Sequence, residues 1–160
     1  MTAKFTDTDL GADALARWMR DAGRRSVRVG VLSDSPKKDK DGEDSGISLV
    51  EVAAVHEFGA PSAGVPQRSF VRATADAEKA EIDRLQEVLG AQMLNGEITE
   101  DAALSRLGAK VAAMMQARIT SNIPPPLKPE TVDRKGSSVA LVDTGQLKAS
   151  ITFAVESETA

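Results

Sequence analysis

The stretch TEDAALSRLGAKVAAMMQARITS, residues 99–121, decides how the rest of the chain is read. Leu104, Leu107, Val111, Met114 and Met115 recur at three- and four-residue spacing, the period of one helix face. Thr99 stands before the repeat as a hydroxyl cap. Glu100 and Asp101 fall in the first turn, where the helix dipole favours acids. The spacing predicts one long helix ending near Ser121 and Asn122. The Met pair reads as core filler, because flexible thioethers fill irregular apolar gaps.

Upstream of this helix, Asn95 and Gly96 break a second long pattern over residues 69–94. Its stripe is Ile82, Leu85, Leu89 and Met93, with charged residues around it. Residues 60–67 read as a turn-rich link containing Pro61, Gly64 and Pro66. Before it, residues 48–58 predict a short helix ended by Gly59. Phe58 and Phe70 are expected to anchor the junction between the short helix and the long one. Residues 33–46, SDSPKKDKDGEDSG, have no large apolar side chain and read as a mobile loop or hairpin tip. In residues 26–32, Val27, Val29 and Val31 alternate, which predicts a strand. Residues 9–22 predict a first helix, capped by Asp9 and ended by Gly23.

Downstream, Pro124, Pro125, Pro126 and Pro129 predict an extended arm or loop over residues 123–139, expected to dock on a neighbour rather than on its own core. Residues 140–142 suggest a short strand, residues 143–149 a short helix, and Ile151, Phe153 and Val155 a last strand. The expected fold class is α+β. A small mixed or antiparallel sheet packs against two long helices, with short helices and an extended Pro-rich arm. Residues 1–160 form one structural domain, with 33–46 a mobile loop, 123–139 the arm and 156–160 a disordered tail.

A chain of 160 residues is long enough to bury a real core. Twenty bases against twenty-four acids give a net charge of −4, without a global basic footprint. With four Phe, one Trp and no Tyr, few rings are left to stack on bases. The absence of cysteine excludes disulfides and thiol chemistry, and one histidine excludes a site with two His ligands from a single chain. The N-terminus does not read as a signal peptide, and no stretch approaches the length of an apolar membrane span.

The motifs that tempt a catalytic reading each lack a part. His56 and Glu57 resemble the start of a zinc-protease helix, but Ala60 stands where the second His belongs. The pair reads as the last turn of a helix making polar contacts. Asp143, Thr144 and Gly145 match an aspartic-protease triplet, yet only fifteen residues follow, too few for the strands of that fold. The structural reading is a strand-to-helix junction. The acids of residues 33–46 lack the order of a calcium loop. Pro126 to Pro129 satisfies a bare PxxP pattern, for which an arm is the simpler account. The expectation is a non-enzyme without cofactor or metal.

Three segments in order resemble a known family. Residues 52–59, VAAVHEFG, precede residues 65–72, VPQRSFVR. Residues 125–131, PPLKPET, lead to Lys135 and Gly136, and residues 141–147, LVDTGQL, precede the final strand. The set is similar to the tail-completion and neck proteins of tailed double-stranded DNA bacteriophages, the virion morphogenesis proteins. The family's segments fall on His56, Glu57, Phe58 and Gly59, on Pro66, Arg68 and Phe70, on Pro126, Leu127 and Lys128, and on Asp143, Thr144, Gly145 and Leu147. Gln67 and Ser69 stand where Ala and Pro are frequent.

The resemblance implies a structural subunit of the virion neck, one of six in a ring around the DNA channel. Its partners are copies of itself and neighbouring neck and tail-tube or terminator proteins, with DNA as channel contents and no membrane. It implies assembly in the host cytoplasm. The alternatives are a tail terminator or a head-side stopper or adaptor. A nucleic-acid-binding accessory protein rests on Arg17, Arg20, Arg24, Arg25 and Arg28 alone, which lie among Asp7, Asp9, Asp13 and Asp21.

Overall fold

The computed structural model describes residues 25–39, 41–136, 139, 141 and 145–157. The first helix expected over residues 9–22, the strand over 140–142 and the side chains of Asp143 and Thr144 lie outside the described residues. The elements in chain order are β1 (Arg25–Val31), β2 (Pro36–Lys38), β3 (Asp44–Ser48), α1 (Leu49–Phe58), a 3-10 turn (Pro61–Ala63), α2 (Arg72–Ala77), α3 (Lys79–Leu94), α4 (Glu100–Thr120), α5 (Pro129–Lys135), α6 (Gln146–Ser150) and β4 (Ile151–Ser157). The fold is α+β, with six α-helices and two antiparallel two-stranded sheets among the described residues.

Alternation in β1 and β4 produces one apolar face. Their antiparallel register sets Val27 opposite Val155, Val29 opposite Phe153 and Val31 opposite Ile151. Such cross-strand apolar pairs stabilise a two-stranded ribbon, which still needs a helix to cover it. Helix α4 is that cover, packing on both strands, and α3 packs in turn on α4. Thr99 caps α4 by accepting from the Ala102 N–H at 3.2 Å, and Arg25 pairs with Asp101. The buried face of α4 is Ala103, Gly108, Ala112, Met115 and Ile119. It is narrower in side-chain volume than the leucine stripe suggests, because small residues let the helix approach the sheet. A Cβ on Gly108 would stand 2.6 Å from Phe153 Cδ2 and 2.7 Å from Val27 Cγ2.

The core gathers Phe70, Ala112, Met115, Ile119, Ile123, Leu141, Leu147 and Ile151. Val29, Val31, Val52 and Val71 pack around it half-buried. Phe70 and Ile119 are fully excluded from solvent.

Several expectations are corrected. The span 69–94 is two helices, because Glu78 leaves the helical region at φ −100, ψ 9. The hydrogen bonds continue through it, from Glu78 N–H to Thr74 O and from Ile82 N–H to Glu78 O, so the feature is a bend. Of the two readings of residues 33–46, mobile loop or hairpin tip, the second has its counterpart in the structure: β2 and β3 pair as a hairpin, and the Leu49 N–H donates to Ser35 O at 2.8 Å. Gln146 docks the hairpin, accepting from Lys38 N–H and donating to Lys38 O, both at 2.8 Å. This two-way amide bond completes a backbone edge that the charged sequence could not secure by burial.

The arm is extended only up to Lys128. Pro129 opens α5 at a position where its missing N–H costs nothing. Ile123 is buried in the core, so the start of this segment belongs to its own subunit. Glu156 and Ser157 are part of β4 rather than of a tail, and Glu156 pairs with Arg28. Phe58 does not anchor the junction: it is 69% exposed, whereas Phe70 is wholly buried.

Candidate interaction groove

Helix α1, LVEVAAVHEF, begins with a reciprocal cap. The Ser48 hydroxyl accepts from the Glu51 N–H, and the Glu51 carboxylate accepts from the Ser48 N–H at 2.8 Å. It ends at Gly59, whose φ of 78 lies in the left-handed region. A Cβ there would meet Gln67 N at 2.9 Å, so glycine is required both by backbone and by space. The link folds back through a bridge between Ala60 and Val65. It is then sewn to α1, with the Arg68 N–H donating to His56 O at 2.7 Å and Gln67 Nε2 to Glu57 O at 2.9 Å.

Glu57 is the centre of this joint. Its side chain is buried, and its carboxylate accepts from the N–H groups of Phe70 and Val71 at 2.9 Å and of Arg72 at 3.1 Å. The Ser69 hydroxyl donates to it as well, at 2.6 Å. These are the donors that the start of α2 leaves without intrahelical partners. Glu57 therefore caps α2 from twelve or more residues away in sequence. Burial pushes its carboxyl pKa up, but the Ser69 hydroxyl and the three backbone donors outweigh burial and hold it below its ordinary value.

Arg68 makes the next joint. It is buried, and its Nε and Nη2 donate to Pro125 O at 3.1 and 2.8 Å. The bond fastens the Pro-rich segment to the turn before α2. Burial pushes the Arg68 pKa down from its ordinary value.

Between these elements lies an open groove of about 1140 Å³. Among the candidate residues, His56, Phe58, Gly59, Pro66, Arg68, Pro126, Leu127, Lys128, Gly145 and Leu147 line it. Glu57 and Phe70 lie behind its wall, as cap and core. Asp143 and Thr144 lie outside the described residues. The structure thus brings the three ordered segments to one place. Sequence reasoning missed Gln146, Ser69 and the Pro125 carbonyl as joint-makers. A signal for Glu57 was present: a carboxylate on the core side of an apolar helix must find donors if buried.

The groove holds no arrangement of nucleophile, base and orienting group among the described residues. Among the described residues no cluster of three or more His, Asp or Glu side chains is placed to hold a metal ion, and none of the described helices is long and apolar enough to cross a membrane. Arg25 and Arg28 are engaged by Asp101 and Glu156. No family model, curated protein or solved structure matches the chain.

Proposed function

We propose that the chain is a structural subunit of the neck of a tailed double-stranded DNA bacteriophage. In this reading it is a tail-completion or head–tail joining protein that assembles with copies of itself, six to a ring, around the DNA channel. The observation that supports it is the convergence at the groove. The three segments that resemble the family meet there, and their polar groups, Glu57 and Arg68, hold the chain to itself. These bonds shape the surface of the groove.

The outer face of α1 adds weight. Val50, Ala54 and Phe58 follow one another at four-residue spacing and all are exposed, and Ile47, in β3 just before the helix, is exposed as well. An exposed apolar row of this kind on a helix is normally covered by a partner. In a ring, the neighbouring copy is the cover.

Sedimentation velocity and negative-stain electron microscopy of the purified chain test the reading. Closed rings of about 100 kDa are expected, six copies of a 16.9 kDa chain. Antibodies should label the head–tail junction of virions. A chain that stays monomeric at every concentration and is missing from purified particles overturns it.

A further inference from the structure

We infer that the groove is one half of the joint between copies, and that its occupant is the acidic hairpin turn of the neighbouring copy. The inference rests on the ring reading above and names the two surfaces that meet.

The groove is charged with one sign. Lys37, Arg68 and Lys128 line it, and among the described residues no Asp or Glu does, in a chain whose acids outnumber its bases. Arg68 is the telling member. It is 5% exposed, and its partner is the neutral Pro125 carbonyl. Among the described residues no carboxylate stands within ion-pair reach of it. A buried guanidinium without a counter-charge carries a desolvation cost that an incoming anion offsets. The Lys128 side chain, exposed at the groove wall, adds to the same field.

The matching surface is on the same chain. Between β2 and β3 the sequence of residues 39–43, DKDGE, carries three acids against one lysine, and Asp44 opens β3 as a fourth acid. Asp39 Oδ1 accepts from the N–H groups of Asp41 and Glu43 at 2.9 and 3.0 Å, which sets the turn's shape in advance. Asp41 and Glu43 are exposed and make no ion pair among the described residues. None of the turn's acids lines the subunit's own groove, which leaves the groove for an acid from outside.

Apolar groups accompany the charges. Ile47, at the end of β3, is 49% exposed and travels with the turn. Phe58 forms the groove's exposed apolar lip, with Arg72 5.9 Å from its ring centre. Turn and groove are different patches of one chain, and a contact between different patches is the heterologous kind that closes rings.

Charge exchange tests the pairing. Three proteins are compared with wild type by sedimentation: Asp41→Lys with Glu43→Lys, Lys128→Glu, and all three changes together. The sites are exposed, and circular dichroism should show unchanged folding. Wild-type assembly should weaken with salt, and each partial variant should raise the assembly dissociation constant roughly tenfold or more. The combined chain should regain most of it. If wild type forms rings and the turn variant forms them equally well, the pairing is overturned and the ring reading stands. Loss in both partial variants without recovery in the combined chain also overturns it. A wild type that never assembles removes both.

Discussion

Replacing Glu57 with alanine removes the cap of a helix that begins fifteen residues downstream of it. Four donors lose their acceptor: the Ser69 hydroxyl and the N–H groups of Phe70, Val71 and Arg72. Arg72 is exposed and its N–H can turn to water, and the Ser69 hydroxyl can rotate. The Phe70 N–H cannot, because the residue is fully buried, and Val71 is half-buried. A buried donor left unpaired costs about 1–3 kcal/mol. Two such donors, plus the lost charge at a helix N-terminus, give roughly 3–5 kcal/mol. Whole domains are stable by only about 5–15 kcal/mol, so the variant should be close to unfolding.

Urea denaturation at neutral pH measures the loss, and a thermal melt should fall by about 10 °C. Acid provides a second reading of the same group. The folded-state pKa of Glu57 lies below the unfolded one, so its contribution is complete above the unfolded pKa and is lost as pH falls through the folded one. The stability gap between wild type and Glu57→Gln should therefore narrow as pH drops below the ordinary Glu range, about 4. A loss under about 1 kcal/mol in Glu57→Ala, with an unchanged m-value, refutes the reasoning.

Phe70→Ala should cost about 3–5 kcal/mol, while Phe58→Ala should leave unfolding nearly unchanged and weaken self-association; equal melts for the two variants contradict the burial difference. Gly108→Ala should lower stability by about 1–3 kcal/mol despite alanine's better helix propensity, because its Cβ meets Phe153 and Val27, and a raised melting temperature counts against that contact. Arg68→Gln should release the Pro-rich segment, so hydrogen exchange and proteolysis near residues 123–130 should accelerate while α4 stays protected; uniform protection throughout shows that the Pro125 bond is dispensable.

Local chemistry was enough to read much of this fold. Thr99, Glu100 and Asp101 start α4, alternating valines make β1, and Gly59 ends α1, because caps, dipoles and side-chain period act over a few residues. The ordered segments also pointed to one candidate surface. What the chain could not announce locally is how distant groups satisfy one another. Helix α2 starts at Arg72 rather than at Ser69 alongside a carboxylate brought from α1. The hairpin holds an edge that the Gln146 side chain completes from more than a hundred residues away. Phe58 and Phe70 are the same residue type beside the same turn, yet one faces solvent and the other fills the core. A charge or ring in sequence carries only its intrinsic preference. Its burial, partner and protonation are set by whatever the tertiary structure packs against it, and that partner lies too far along the chain for periodicity or composition to reveal.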